Sequence, residues 1–453
     1  MKVSTVHIKD IKVTNLRIDA SYHLSEGQSV KRIIGDSPYK LINIENVCKE
    51  IFYGNRAKRV YVNNRAKGIP FLSSSDILQA DLENVKLASK KYTPCIEQMV
   101  LQKGWTLISR SGTIGNCAFA NAKHAQKLAS EDVIRLVPNN ILREGVIYAF
   151  LASKYGHSLL TQGTFGAVIQ HIEPAFVGSL PIPMFPIEFQ ELVDDLIQTS
   201  ARQREAANVA LDKAIKLFEA EIGTDRINIS STYGKVDSQQ IMAKFYRFDA
   251  QYQLGTKQLS NNKRGIRTIK INDIAKNIYI GNRSKRYYVD KNGIPFLSSS
   301  DMLLANPKRF CKLISKNTPQ LSEMVVHNGT ILISRSGTVG NTILVGNSLS
   351  GCAVSEHAMR LVVDSTKIEP EYVFAYLNTG QGQDSLKILP YGSVIITLGE
   401  DFLKAIDLPI VSCDAKADIV ASIKTYVQNI DGAIDNEDKA ISMVEQEIEK
   451  WNK

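Results

Sequence analysis

GIPFLSSSDI spans Gly68 to Ile77, and the chain spells it again as GIPFLSSSDM from Gly293 to Met302. The step is 293 − 68 = 225 residues. LISRSGTIGN, from Leu107 to Asn116, returns at the same step of 225 as LISRSGTVGN, from Leu332 to Asn341. Long words repeated in order at one spacing mark an internal duplication. Further echoes flank them. Gly54-Asn-Arg-Ala-Lys-Arg59 returns as Gly281-Asn-Arg-Ser-Lys-Arg286, and Leu16-Arg-Ile-Asp-Ala-Ser-Tyr22 as Tyr246-Arg-Phe-Asp-Ala-Gln-Tyr252. Ser130-Glu131 matches Ser355-Glu356, and Arg135-Leu136 matches Arg360-Leu361. The step drifts by a few residues between blocks, as loop lengths do between related domains.

Local patterning reads each copy as an α+β globule. Leu107-Ile-Ser and Ile331-Leu-Ile-Ser are short apolar runs ending in Ser-Gly-Thr and Gly-Asn turn chemistry. Val133-Ile-Arg-Leu-Val predicts a strand stopped by Pro138, and Gly145 to Leu160 predicts a helix with Val146, Phe150, Leu151 and Leu159 on one face. Each globule closes with Gly166-Ala-Val-Ile169 or Gly392-Ser-Val-Ile395, then an apolar-proline strand, Leu180-Pro-Ile-Pro183 or Leu408-Pro-Ile410.

After each globule the character of the chain changes. Ile187 to Ile222 contains neither Gly nor Pro, and Ala415 to Trp451 contains one Gly and no Pro. These predict long helices. Ile423, Val427, Ile430, Ile434, Glu437, Ile441, Val444, Ile448 and Trp451 step alternately by 4 and 3, the seam of a coiled coil. The first helix carries the matching set Ile197, Ala201, Arg204, Asn208, Leu211, Ile215, Phe218 and Ile222. Arg204, Asn208 and Glu437 interrupt the seams, and polar seam residues fix register at a cost in stability. The expected architecture is two tandem α+β domains, each followed by a long helix. Duplicated units tend to associate about a pseudo-two-fold axis, which would make the helices an antiparallel coiled coil. At ~1.5 Å per residue the first helix is ~54 Å long, more than one ~34 Å turn of DNA.

Composition narrows the function. A 44% hydrophobic and 22% charged chain of 453 residues is an ordinary globular protein of several domains. Cys48, Cys95, Cys117, Cys311, Cys352 and Cys413 are scattered without a CxxC pair, as in reduced cytoplasmic proteins. The start of the chain lacks the apolar core of a signal peptide, and no run of ~18 apolar residues predicts a membrane span. A net charge of +9 and pI near 9.0 favour a polyanionic partner. There is no phosphate-binding loop, glycine-rich cofactor loop, HExxH or GxSxG motif. Nor is there an Asn-Pro-Pro-aromatic methyltransferase motif, and the seven histidines do not pair at ligand spacing. No catalytic residue, metal site or cofactor is expected. Glu131-Asp132 and Glu356-His357 sit at matched positions and read better as capping or structural acids, or as polar contacts to a partner, than as nuclease carboxylates or metal ligands.

The basic clusters carry the functional signal. Arg56, Lys58, Arg59, Arg65 and Lys67 crowd twelve residues, and Arg283, Lys285 and Arg286 repeat the first three. Tyr53, Tyr61, Tyr279, Tyr287 and Tyr288 flank them. Lys and Arg neutralise phosphates, and Arg also forks onto a guanine edge. Ser73, Ser74 and Ser75, with Ser298, Ser299 and Ser300, supply hydroxyls for DNA or for their own turns in equal measure. Arg110, Ser111, Thr113 and Asn116, with Arg335, Ser336, Thr338 and Asn341, form the second candidate DNA-contacting set. For Arg110 and Arg335 the structural alternative is an ion pair with Glu131 or Glu356.

The ordered phrases resemble the specificity (S) subunit of type I restriction-modification enzymes, over nearly the whole chain. They are Gly68-Ile-Pro-Phe, Gly104-Trp-Thr-Leu-Ile-Ser, Gly112-Thr-Ile-Gly, Gly166-Ala-Val-Ile-Gln-His-Ile and Leu180-Pro-Ile-Pro, with the second-half set at Gly293, Gly329-Thr-Ile-Leu-Ile-Ser, Gly337-Thr-Val-Gly and Leu408-Pro-Ile. The resemblance implies target recognition domains at 1–186 and 241–412, spacer helices at 187–222 and 413–453, and a linker at 223–240. It implies a non-catalytic subunit that reads a split site in double-stranded DNA. Two methyltransferase (M) subunits would bind its helices, and endonuclease/translocase (R) subunits would join them, in the cytoplasm. Because the matched words are nearly identical, the half-sites are expected to be identical or close relatives. A recognition adaptor of another phage-defence system, a stand-alone nuclease with an unrecognised metal site and a scaffold without a DNA role are the alternatives.

Overall fold

The computed structural model describes residues 8, 26–54, 56, 58–162, 171–223, 234–243, 246–262, 265–392 and 396–452. The Leu16–Tyr22 phrase, Asn55, Ala57, the 166–170 closing segment and Ser393 to Ile395 lie outside the described residues. The chain is a mixed α+β protein that divides into two compact units: unit 1, residues 1–205 with 433–453, and unit 2, residues 206–432.

In unit 1, Leu41–Asn43 pairs antiparallel with Pro181–Pro183, with Ile42 opposite Ile182. The proline-bearing strand predicted before the long helix thus closes onto the start of the domain. One four-stranded antiparallel sheet has the order Cys48–Tyr53, Val133–Pro138, Thr106–Ser109, Cys117–Phe119. Thr106–Ser109, the repeated Leu-Ile-Ser run, is buried throughout, as a short apolar run inside a sheet must be. A second sheet has the order Tyr61–Val62, Leu87–Ser89, Gly68–Leu72, Leu128–Ala129, its last pair parallel. The repeated GIPFL word is therefore a central strand. Unit 2 has the same strand orders: Ala275–Ile280, Ala358–Val363, Ile331–Ser334, Thr342–Leu344, and Tyr288–Val289, Lys312–Ile314, Ile294–Leu297, Ala353–Val354. Its closing pair is Thr268–Lys270 with Asp407–Pro409.

The helix expected over Gly145 to Leu160 is two helices, Glu144–Ala152 and Lys154–Gln162. Ser153 breaks it with extended backbone; its Oγ donates to the Phe150 carbonyl at 2.6 Å and accepts from the Gly156 N–H at 3.1 Å. A β-carbon on Gly156 would stand 2.1 Å from the Phe150 carbonyl oxygen, so only glycine fits the corner. Unit 2 repeats the break between Pro370–Asn378 and Gly380–Ile388, where Thr379 accepts from the Gly382 N–H at 3.1 Å.

The long helices run over Ile187–Ile222 and Cys413–Glu449. In unit 1, Val193, Ile197 and Ala201 of the first share one core with Ile441, Val444 and Ile448 of the second. In unit 2, Ala214, Phe218 and Ile222 share a core with Ile419 and Ile423. The Phe218 ring lies tilted at 4.9 Å from that of Tyr372 and 5.7 Å from that of Tyr376, and burying such a ring stabilises by about 1.5–3 kcal/mol. An acid on each helix also holds its globule. Glu205 accepts the Ala122 N–H at 2.9 Å. Asp431 accepts from the Asn347 N–H at 2.7 Å and the Ser348 hydroxyl at 2.6 Å. No helix among the described residues is long and apolar enough to cross a membrane.

Candidate nucleic-acid interface

The site is built from the inside outward, and it begins with an arginine that donates to main-chain carbonyls. Arg135 and Arg360 sit mid-strand and are fully buried. Arg135 donates to the carbonyls of Ser130 at 3.0 Å, Val133 at 2.7 Å and Ala129 at 2.5 Å. Arg360 does the same for Ser355 at 2.9 Å, Ala358 at 2.6 Å and Val354. Burial pulls both guanidinium groups down to about 10, still protonated at neutral pH. Each arginine therefore stitches the turn ahead of its own strand. Gly54 and Gly281 explain the first letter of the repeated GNR phrase: a β-carbon would lie 3.3 Å from the Arg135 Nη2 and 3.0 Å from the Arg360 Nη2.

That turn presents Glu131 or Glu356. Arg59 donates to Glu131, and the Arg56 Nε lies 3.6 Å from it. Arg286 donates to Glu356, and the Arg283 Nε lies 3.5 Å away. The acids are about nine-tenths buried, whereas Arg56 and Arg283 are 91% and 86% exposed. Burial pushes Glu356 up, but its backbone hydrogen bond, Arg286 and His357 outweigh that and hold it below the usual carboxylate range. The repeated GIPF word supplies the floor. The Arg59 guanidinium lies 4.8 Å over the Phe71 ring, and that of Arg286 lies 4.6 Å over Phe296. The Ser130 and Ser355 N–H groups donate to the Leu72 and Leu297 carbonyls at 2.9 Å, tying the turn to this strand. Beside it, Lys86 lies over Tyr61 at 5.2 Å and Lys312 over Tyr288 at 5.1 Å. Lys58 and Lys285 are exposed. Each unit thus presents a fixed cationic edge with aromatic neighbours, suited to phosphate.

The other predicted residues divide. Ser73 donates to Asp76 at 2.6 Å and meets Ser75 at 3.1 Å; Ser298 donates to Asp301 at 2.6 Å and meets Ser300 at 2.9 Å. These first serines serve their own turn, while Ser75 and Ser300 are exposed and Ser74 and Ser299 half-buried. Thr113 and Thr338 are exposed at loop tips, with the Thr113 hydroxyl 2.9 Å from the Ser109 hydroxyl. Ser111, Asn116 and Asn341 are half-buried, and the Asn116 and Asn341 carbonyls close their loops by accepting from Ser109 and Ser334. Arg110 pairs with Glu173 at 2.5 Å rather than with Glu131, which Arg59 and Arg56 occupy. Arg335 donates through Nε to the Leu398 carbonyl at 3.1 Å, and Ser336 lies 2.9 Å from the His357 Nδ1. Sequence reasoning missed Phe71, Phe296 and Glu173. It marked Arg135 and Arg360 as repeats without seeing their burial; a charged residue at the centre of an apolar strand, twice, was the available signal.

Residues 263–439 match the family model of the type I restriction modification DNA specificity domain. A comparison with curated proteins returns no match. Among solved structures the chain is similar to a type I restriction-modification S subunit from M. genitalium, at 13% identity and TM-score 0.35, covering 91% of this chain and 96% of that one. It is also similar to the HsdS subunit from Thermoanaerobacter tengcongensis, at 14% identity and TM-score 0.29, with the same coverages of 91% and 96%. The match assigns a type I restriction modification DNA specificity domain to residues 263–439 of this chain.

Proposed function

We propose that this chain is the DNA-recognition subunit of a type I restriction-modification complex and reads a split target, one half with each of the domains at 1–186 and 241–412. The observation that carries this is the repeated edge: Arg56 and Arg283, each exposed and each anchored to a buried acid beside the same strand word, in a chain carrying a DNA specificity domain. Arg56, Lys58, Arg283 and Lys285 hold phosphates. The exposed tips at Thr113 and Thr338, with Ser75 and Ser300, approach the groove. The helices at 187–222 and 413–453 form an antiparallel coiled coil, and the crosswise sharing of cores supports that direction: the start of the first packs with the end of the second, and the reverse. Their outer faces dock two methyltransferase subunits, which endonuclease/translocase subunits then join, in the cytoplasm. The near-identity of the repeated words makes the half-sites close relatives. The chain itself does no chemistry and holds no cofactor.

The test is to purify the chain with the methyltransferase subunit of the same locus and supply DNA and a methyl donor. Two methyltransferase subunits per chain, and methyl transfer that requires the chain, are expected. A stable complex without methyl transfer would instead make the chain an adaptor of another defence system.

A further inference from the structure

The two units are alike in words but not in the environment of one repeated residue. Arg110 and Arg335 are the same letter of the Ser-Arg-Ser-Gly-Thr loop, 335 − 110 = 225 residues apart. In unit 1, Arg110 is held on two sides. Its Nη2 lies 2.5 Å from Glu173, its guanidinium lies 4.5 Å over the Tyr53 ring, and its side chain is only 14% exposed. In unit 2 both partners are replaced. Glu173 caps the short helix Pro174–Gly178, and the cap of the matching helix Glu400–Lys404 is Gly399. Tyr53 precedes Gly54, and the residue preceding the matching Gly281 is Ile280. Among the described residues Arg335 has no carboxylate partner, and its bond to the Leu398 carbonyl uses Nε and neither Nη. The neighbouring letter changes too. Glu131 is followed by Asp132 and Glu356 by His357, whose ring lies 2.9 Å from the Ser336 hydroxyl. The loop in unit 1 is therefore bordered by Glu173 and Asp132, and the loop in unit 2 by Gly399 and His357.

An arginine with both Nη groups available forks onto the O6 and N7 of guanine, and one with an Nη engaged by a carboxylate does not. Resting on the proposed function, we infer that Arg335 reads a guanine in the half-site of unit 2, and that unit 1 does not read guanine at the equivalent position because Glu173 and Tyr53 hold Arg110. The split target is then a near-palindrome broken at this base pair.

The test is methylation sequencing of DNA from cells expressing the methyltransferase with the intact chain, with Arg335→Gln, with Arg335→Lys, and with Tyr53→Ile/Glu173→Gly. The intact chain is expected to yield half-sites that differ at one pair, with guanine in one of them. Arg335→Lys keeps the charge but not the fork, and it should relax that position, as should Arg335→Gln, each lowering discrimination about tenfold or more. The Tyr53→Ile/Glu173→Gly chain should shift the other half-site towards the same guanine. Identical half-sites, or an unchanged motif with both Arg335 variants, would overturn the inference while leaving the proposed function standing. No chain-dependent methylation at all would overturn the proposed function, and the inference with it.

Discussion

Arg204 of the first long helix donates to Glu437 of the second at 2.7 Å, with both side chains 11% exposed. These residues are the two charged interruptions of the apolar seams, and they answer each other. Tyr148 donates to the other Glu437 oxygen at 2.5 Å, so the carboxylate is satisfied from both sides. Removing one member of such a pair leaves a buried charge and costs about 3–5 kcal/mol, whereas replacing both with apolar groups is often neutral. Arg204→Leu should therefore lower the stability of unit 1 by about 3–5 kcal/mol, and Arg204→Leu/Glu437→Leu should recover part of it, the buried Tyr148 hydroxyl having lost that acceptor. Denaturant unfolding of the three chains gives the comparison, and additive losses in the double variant would contradict it.

Arg360 never faces solvent, yet it should be needed for binding. Arg360→Met removes a buried donor from the carbonyls of Val354, Ser355 and Ala358. The expected loss is about 3 kcal/mol or more. The turn bearing Glu356 loosens with it, so affinity for DNA should fall alongside thermal stability. Unchanged affinity in a folded Arg360→Met complex would separate the buried arginine from the cationic edge.

Arg56 and Arg283 are assigned to phosphates, a claim with its own signature. Each phosphate contact contributes about 0.9 to the slope of log K against log salt. Arg56→Gln/Arg283→Gln should reduce that slope by about 1.8 and leave the recognised sequence unchanged. A changed sequence with an unchanged slope would mean these residues read bases.

His124 makes unit 1 sensitive to acid. Its Nε2 donates to the Ile77 carbonyl at 3.0 Å, and the ring is fully buried. Burial pushes it from 6.5 down to about 4. The unfolded chain thus takes up a proton that the folded one refuses, and stability falls as pH drops from about 6.5 towards 4. The slope approaches about 1.4 kcal/mol per pH unit. The matching position, 124 + 225 = 349, is the buried apolar Leu349. His124→Leu should flatten the dependence between about pH 5 and 6.5 at a cost of about 1 kcal/mol at neutral pH. An identical pH slope in the variant would assign the sensitivity elsewhere.

Much of the fold was legible because its signals were local. The 187–222 helix was readable to the residue, since a stretch without Gly or Pro has little else to become. The Leu-Ile-Ser strands were readable from a short apolar run and a turn. The break at Ser153 was not, because its cues are one hydroxyl acting as a cap and a glycine, Gly156, whose necessity shows only against the Phe150 carbonyl. The site was less legible, because its pairs are distant in sequence. Arg110 meets Glu173, 63 residues on, while the nearer Glu131 goes to Arg59 and Arg56. Phe71 lies inside the most obvious repeated word, yet its role as a floor for Arg59 depends on a strand crossing that no spacing announces.

The central claim is that two similar domains on one chain read two halves of one DNA target. Single-molecule methylation sequencing of host DNA, with the methyltransferase expressed with and without this chain, tests it most directly. A chain-dependent motif of two closely related halves separated by a gap of fixed length is predicted. A single uninterrupted motif, two unrelated halves, or methylation that does not need the chain would contradict it.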